Sequence, residues 1–190
     1  LLSAARFDYP ARKMTAIGVT GTKGKTTTTY MIKAILEAAG QKTGLIGTNG
    51  AVIGENHYPT KNTTPESYIL QEYFAKMVEA GCRYIVMEVS SQSYLMHRVD
   101  GLFFDYGIFL NISNDHIGPN EHASFEEYLY YKKQLLKNCR TALVNRDDPH
   151  FDAIVEGATA EILTFSLEQA ADFTADDIHY VREHDFVGVE

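Results

Sequence analysis

The stretch Gly18-Val19-Thr20-Gly21-Thr22-Lys23-Gly24-Lys25-Thr26-Thr27 constrains this chain most. Thr15-Ala16-Ile17 before it is a strand-like run. Tyr30 to Gly40 after it carries apolar residues at 31, 34, 35 and 38 and then a closing glycine. Strand, glycine-rich turn and helix in that order aim free backbone N–H groups at one point, where an anion is stabilised. The pattern reads as a phosphate-binding loop in which Gly21, Thr22, Lys23, Gly24, Lys25, Thr26 and Thr27 surround nucleotide phosphates. Lys25 would reach the β/γ-phosphates and the Thr26 hydroxyl would ligate Mg²⁺. The spacing has one irregularity: Val19 stands where the common motif has its first glycine, and Gly18 lies one residue earlier. The alternative is a glycine-rich turn that only caps a helix.

The rest of the chain alternates strands and helices. Residues 42–47 read as a second strand, and 48–60, centred on Gly54-Glu55-Asn56, as a hairpin. Thr63 and Glu66 have capping-box spacing and Pro65 suits a first turn, so a helix is expected to open at 62–66. Its apolar stripe is 69, 70, 73, 74, 77 and 78. Tyr84 to Val89 is a nearly continuous apolar run, as in a strand buried on both faces of a parallel sheet. Residues 103–110 and 141–145 are further strands, 90–99 a loop or short helix, and 123–138 a helix with Phe125, Tyr128, Leu129, Leu135 and Leu136 on one stripe. Asp147-Asp148-Pro149 starts a short helix. Segments 161–166, 176–182 and 185–189 are strand-like, and the last part looks antiparallel. The expected class is α/β: a three-layer domain with a phosphate-binding loop and a mostly parallel sheet, plus antiparallel strands near the C-terminus. Residues 1–13 read as a weakly structured lead-in from a preceding domain. Residues 14–190 read as one nucleotide-binding domain, truncated at its C-terminal end.

Composition excludes some functions. A net charge of −8 over 190 residues argues against a nucleic-acid partner held by general electrostatics. No apolar run approaches a membrane span, and no signal peptide is visible. Cys82 and Cys139 form no CxxC pair, so a reduced, cytoplasmic setting is expected.

In α/β sheets ligands bind beyond the carboxyl ends of the strands, where the loop, Glu88 and His116 all fall. Glu88, ending an apolar strand, is a solvated terminus or a metal ligand completing the Mg²⁺ shell begun by Thr26. His116, in Asn114-Asp115-His116, is a loop or capping residue or a site residue. Lys132 lies inside the apolar stripe at 125, 128, 129, 132, 135 and 136. It either snorkels, or is held at the site by anions, or is a low-pKa amine able to capture CO₂ as a metal-binding carbamate. Asn62-Thr63-Thr64-Pro65 and Ser90-Ser91-Gln92 are polar clusters beside the site. Arg98 either clamps a substrate anion or lies on the surface.

The loop motif, Asn62-Thr63-Thr64-Pro65-Glu66, Met87-Glu88-Val89-Ser90-Ser91-Gln92, Asn111-Ile112-Ser113-Asn114-Asp115-His116 and Phe125-Glu126-Glu127-Tyr128 with Lys132 together strongly resemble the central ATPase domain of the Mur ligases. The resemblance is greatest to members that add the third stem-peptide residue, and folylpolyglutamate synthase is a more distant relative. It implies an ATP-dependent amide-bond ligase of peptidoglycan synthesis, inactive as this segment alone, working through an acyl phosphate on UDP-MurNAc-dipeptide and an amino acid, lysine or diaminopimelate. By that analogy Lys25 and Thr26 bind ATP and Mg²⁺, Glu88 and His116 are metal ligands, and Lys132 is a carbamylated lysine that also meets metal. Asn62, Thr63, Thr64, Ser90 and Arg98 would hold the muramoyl-peptide substrate. A monomer is expected. The competing readings are a non-catalytic nucleotide-binding module and a ligase with another acceptor, such as a folylpolyglutamate synthase. Departures are Lys23, where many relatives have Asn, Met96, where some have Gln, and 118–122, which replaces an Asp-rich segment.

Overall fold

The fold is described from a computed structural model of the chain, which covers residues 2–115, 117–119, 121–183 and 186–189, with only the backbone for the last two strands. Its frame is a nine-stranded sheet in the order β4-β3-β2-β5-β1-β6-β7-β8-β9. The strands are β1 (Thr15–Thr20), β2 (Thr43–Gly47), β3 (Gly50–Ile53), β4 (Asn56–Tyr58), β5 (Tyr84–Glu88), β6 (Phe104–Phe109), β7 (Cys139–Asn145), β8 (Glu161–Ser166) and β9 (Phe173–Thr174). All pairings from β2 to β9 are parallel, and only the β2–β3–β4 excursion is antiparallel. β10 (Tyr180–Glu183) and β11 (Phe186–Val189) form a separate antiparallel pair. The mixed α/β class is as expected, and so is the antiparallel pairing near the C-terminus, which β10 and β11 supply.

Central strands alternate between two apolar clusters. Ala16, Ile85 and Met87 point into the larger one, with Leu70, Phe74 and Met77 of α3 (Ser67–Glu79) and Tyr128 of α5 (Phe125–Lys132). Ile17, Val19 and Val86 face the other way, against Ile32 and Leu36 of α2 (Lys25–Ala38). Burying both faces of these strands is what makes their sequences continuously apolar.

Four local expectations are corrected. The lead-in expected to be weakly structured holds regular structure over residues 2–13: α1 (Leu2–Arg6) and a 3₁₀ turn at Pro10–Lys13, with Phe7 edge-on to Tyr68 at 5.2 Å. The α2 stripe 31/34/35/38 faces outward, leaving Met31 and Ile35 60% and 68% exposed. The helix instead turns Thr29, Ile32 and Leu36 inward, and the buried Thr29 hydroxyl donates to Thr26 O. A satisfied threonine can occupy a buried face that a hydrophobicity pattern skips. The capping box does not form: α3 begins at Ser67 with Glu66 as an N-cap whose side chain makes no capping bond to the helix, because proline disfavours helical geometry at the preceding Thr64. The helix expected over 123–138 ends at Lys132 and continues as a 3₁₀ turn, Lys133–Lys137. That tighter winding still buries Leu135 and Leu136.

Candidate active site

β1 runs into the loop and the loop into α2. Gly24 is the N-cap of α2 with φ +86°, a left-handed conformation suited to glycine. No side chain caps the helix, so its first N–H groups stay open to an anion. Gly18 lies within β1, not in the loop, so the functional turn is 21–24. Asn111 pins it from the neighbouring strand end, accepting from Lys23 N at 3.0 Å and donating to Lys23 O at 3.2 Å.

Glu88 ends β5 beside this turn and is 1% exposed, which removes the solvated-terminus alternative. Its Oε1 accepts from the Thr26 hydroxyl and from Thr48 N, both at 2.9 Å, and Oε2 accepts from the Thr48 hydroxyl at 3.2 Å. The carboxylate fits against β2 because residue 47 is glycine: a Cβ there would come within 2.2 Å of Oε1 and 2.9 Å of Cδ.

Lys132, at the end of α5, is 2% exposed. It does not snorkel. Its Nζ donates to Gly21 O at 2.7 Å and lies 4.8 Å from the centre of the Tyr128 ring. Burial, then the charge of Lys25, hold its pKa well below that of an ordinary lysine. Lys25 Nζ donates to the same Gly21 O at 2.8 Å, and its pKa is lowered chiefly by burial. Tyr128 is fully buried, its hydroxyl 3.2 Å from that of Thr22, and burial pushes its pKa up to about 12, so it stays protonated.

Two cavities meet here. One of about 400 Å³ is lined by the loop with Thr48, Thr63 and Glu88. The other, about 430 Å³, is lined by Asn62, Thr63, Ser90, Ser91, Gln92, Met96, Arg98, Glu121, Tyr128 and Lys132, and Lys25 and Thr63 border both. Phosphates and a second ligand can therefore lie side by side with Lys25 between them. The Thr63 hydroxyl lies 3.0 Å from that of Thr48. Thr64 is fully buried; its hydroxyl donates to Glu88 O at 2.9 Å and accepts from Ser90 N at 3.1 Å, so it locks the strand end. Ser90 caps α4 (Ser91–Leu95) by accepting from Ser93 N. Arg98 is 13% exposed and paired with Glu66 at 2.8 Å, not a free surface residue.

Lys25, Thr26, Glu88 and Lys132 thus converge on the loop. His116 lies outside the described residues. Its neighbour Asp115 takes the Lys23 ammonium at 2.8 Å, which gives that loop lysine a partner.

Several residues escaped the sequence reading. Thr48 was part of the expected hairpin, yet it orients Glu88. His122 is fully buried, its Nε2 2.8 Å from Ser91 Oγ and its ring stacked on Tyr131. Asp148 is buried and accepts from Ile112 N at 2.7 Å, fixing the segment after β6. Asn145 donates to Leu110 O at the same strand ends. The one signal available was the polar cluster Asn145-Arg146-Asp147-Asp148 closing an apolar strand.

The geometry can be set beside known proteins. A UDP-N-acetylmuramoyl-L-alanyl-D-glutamate–2,6-diaminopimelate ligase of Caldanaerobacter subterraneus subsp. tengcongensis is 44% identical over 173 residues, 90% of this chain and 36% of its own. A UDP-N-acetylmuramyl-tripeptide synthetase of Lactococcus lactis subsp. cremoris is 49% identical over 158 residues, 82% of this chain and 33% of its own. The chain spans about a third of the length of these relatives. A solved structure of a UDP-N-acetylmuramoyl-L-alanyl-D-glutamate–2,6-diaminopimelate ligase superposes with a TM-score of 0.82 at 28% identity, over 94% of this chain and 38% of that one. Residues 19–189 match the family described as the Mur ligase middle domain, so with its loop, buried glutamate and inward lysine in place, the chain belongs to the Mur ligases.

Proposed function

We propose that this chain is the ATP-handling domain of an ATP-dependent acid–amino-acid ligase of peptidoglycan precursor synthesis. The ligase extends UDP-MurNAc-dipeptide by lysine or diaminopimelate. The observation that carries the reading is the Thr26–Glu88 hydrogen bond, set beside two lysines that share Gly21 O. A hydroxyl and a carboxylate in contact at a phosphate loop are the oxygen donors Mg²⁺ takes together with nucleotide phosphates and water. Mg²⁺, when bound, neutralises charge on the transferring phosphoryl group.

The residues of the chain do the rest. The open N–H groups of α2 and Lys25 hold the phosphates. Asn62, Thr63, Ser90 and Arg98 line the neighbouring cavity and hold the muramoyl peptide, with Thr64 positioning Ser90. The substrate carboxylate attacks the γ-phosphorus, giving an acyl phosphate and ADP, and the incoming amine then displaces phosphate. A lysine whose pKa is lowered by burial holds more of the neutral amine that adds CO₂ with loss of a proton, so carbamylation of Lys132 belongs to the proposal, as does metal ligation by His116. The remainder of the ligase supplies the uridine-nucleotide and amino-acid sites. A cytoplasmic, monomeric enzyme is part of the proposal. A binding-only module would have no use for Glu88 and Lys132 together.

The test is Lys132→Ala in a ligase polypeptide carrying this domain, assayed for product and ADP with lysine and diaminopimelate in parallel. Ligation is expected to fall strongly and to recover partly with added short carboxylic acids. Full activity in the variant would exclude the carbamate role, and no product from the unaltered enzyme with either amino acid would exclude the ligase reading.

A further inference from the structure

Glu66 stands at the N-cap of α3 with φ −58° and ψ 148°, yet its side chain caps nothing. Its Oε1 accepts instead from Arg98 Nη2 at 2.8 Å and from Asn62 Nδ2 at 3.3 Å. The partners are unequal in burial: the Arg98 side chain is 13% exposed and that of Glu66 60%. Arg98 is also under-used. Nη1 reaches Thr64 O only at 3.5 Å, and Nε is buried without a hydrogen bond among the described residues. A guanidinium offers a planar fork suited to a carboxylate held by two parallel bonds, and Glu66 engages it through one oxygen. Arg98 and Asn62 line the 430 Å³ cavity, whereas Glu66 does not.

We propose that Glu66 is a placeholder and a specificity-determining residue. It is the chain's own carboxylate, holding Arg98 and Asn62 until a carboxylate of the bound peptide takes over the guanidinium. The inference rests on the substrate reading above and deepens it. Exchange of one carboxylate for another keeps Arg98 paired throughout, so the buried cation is never left uncompensated. Releasing Glu66 costs little, because a pair with one exposed partner is weak. The freed side chain then lies beside the open N–H groups of α3, where an anion is favoured. A neutral ligand would displace Glu66 without replacing its charge, so the contact selects for acidic peptides.

The experiment measures binding of L-alanyl-D-glutamate to this chain by NMR titration, with ADP binding followed in parallel. Glu66→Gln is expected to bind the dipeptide roughly two- to fivefold more tightly than the unaltered chain, the range set by one exposed ion pair. Arg98→Ala is expected to lose binding. In the unaltered chain the amides of Ser67, Tyr68 and Ile69 should shift on binding, and in Glu66→Gln they should not. Equal or weaker binding by Glu66→Gln, unmoved α3 amides in the unaltered chain, or binding to neither protein would overturn the placeholder role. ADP binding tells this apart from the larger reading: if it persists while the dipeptide result fails, only the placeholder falls.

Discussion

Lys25 and Lys132 converge on one acceptor, the carbonyl oxygen of Gly21, at 2.8 and 2.7 Å. Two ammonium groups on one oxygen repel each other, and burial adds to the cost of both charges. The arrangement suits a site that receives several negative charges: phosphates would relieve the repulsion.

The first prediction concerns pH. Lys132 titrates in the folded chain well below the ordinary lysine value of 10.5. Between those two values the unfolded chain binds more protons, so stability rises with pH through that window, and below the native value the penalty is complete. Lys25, also lowered, adds a smaller slope of the same sign. Lys132→Met keeps the packing stem without the charge. It should flatten the rise in the window just below pH 10.5 and leave neutral-pH stability unchanged or higher by about 1 kcal/mol. Urea unfolding at several pH values measures both, and an unaltered slope would contradict the assignment.

Gly47→Ala tests how closely Glu88 packs. The new methyl would meet Oε1, Cδ and Cγ of Glu88 at 2.2, 2.9 and 3.0 Å, so the whole side chain must move. Mg²⁺-supported ADP affinity should drop roughly tenfold, about 1.4 kcal/mol, while circular dichroism shows the fold retained. Undiminished affinity, measured by calorimetry, would mean that Glu88 need not stand where it does.

Glu88→Gln separates metal from phosphate. The amide keeps an acceptor for Thr48 N but turns a donor toward a hydroxyl, at a cost of about 1–2 kcal/mol in stability. ADP affinity with Mg²⁺ should fall, whereas affinity in EDTA should hold or rise, because one negative charge beside the phosphates is gone. Equal losses in both conditions would point to a folding defect and against metal binding.

Asp148→Ala probes a residue the motif reading passed over. Its carboxylate accepts from Ile112 N at 2.7 Å and from His150 N at 2.8 Å, and the residue is 7% exposed. Leaving Ile112 N unsatisfied should cost about 1–3 kcal/mol. The segment after β6 should exchange its amide hydrogens faster, with β1 and β5 unchanged. Uniform exchange across the chain would show that Asp148 does not act on that segment.

By itself the sequence determined the parts whose physics is local. The loop at 21–27 follows from strand, glycine and helix signals within one stretch, and the nearly continuous apolar run of β5 follows from burial on both faces. Lys132 was conspicuous because a charge broke a helical stripe, and Glu88 because it ended a strand. Tertiary structure decided what those residues touch. Thr48 reaches Glu88 across forty positions, Thr26 across sixty-two, and Lys132 reaches Gly21 across a hundred and eleven. No local pattern encodes such pairings, because parallel strand order brings the ends together only once the crossovers are packed. The same reason explains the misread faces. Whether Met31 or Ile32 of α2 turns inward depends on which sheet residues it meets, and Pro65, by holding Thr64 out of helix, left Glu66 beside Arg98.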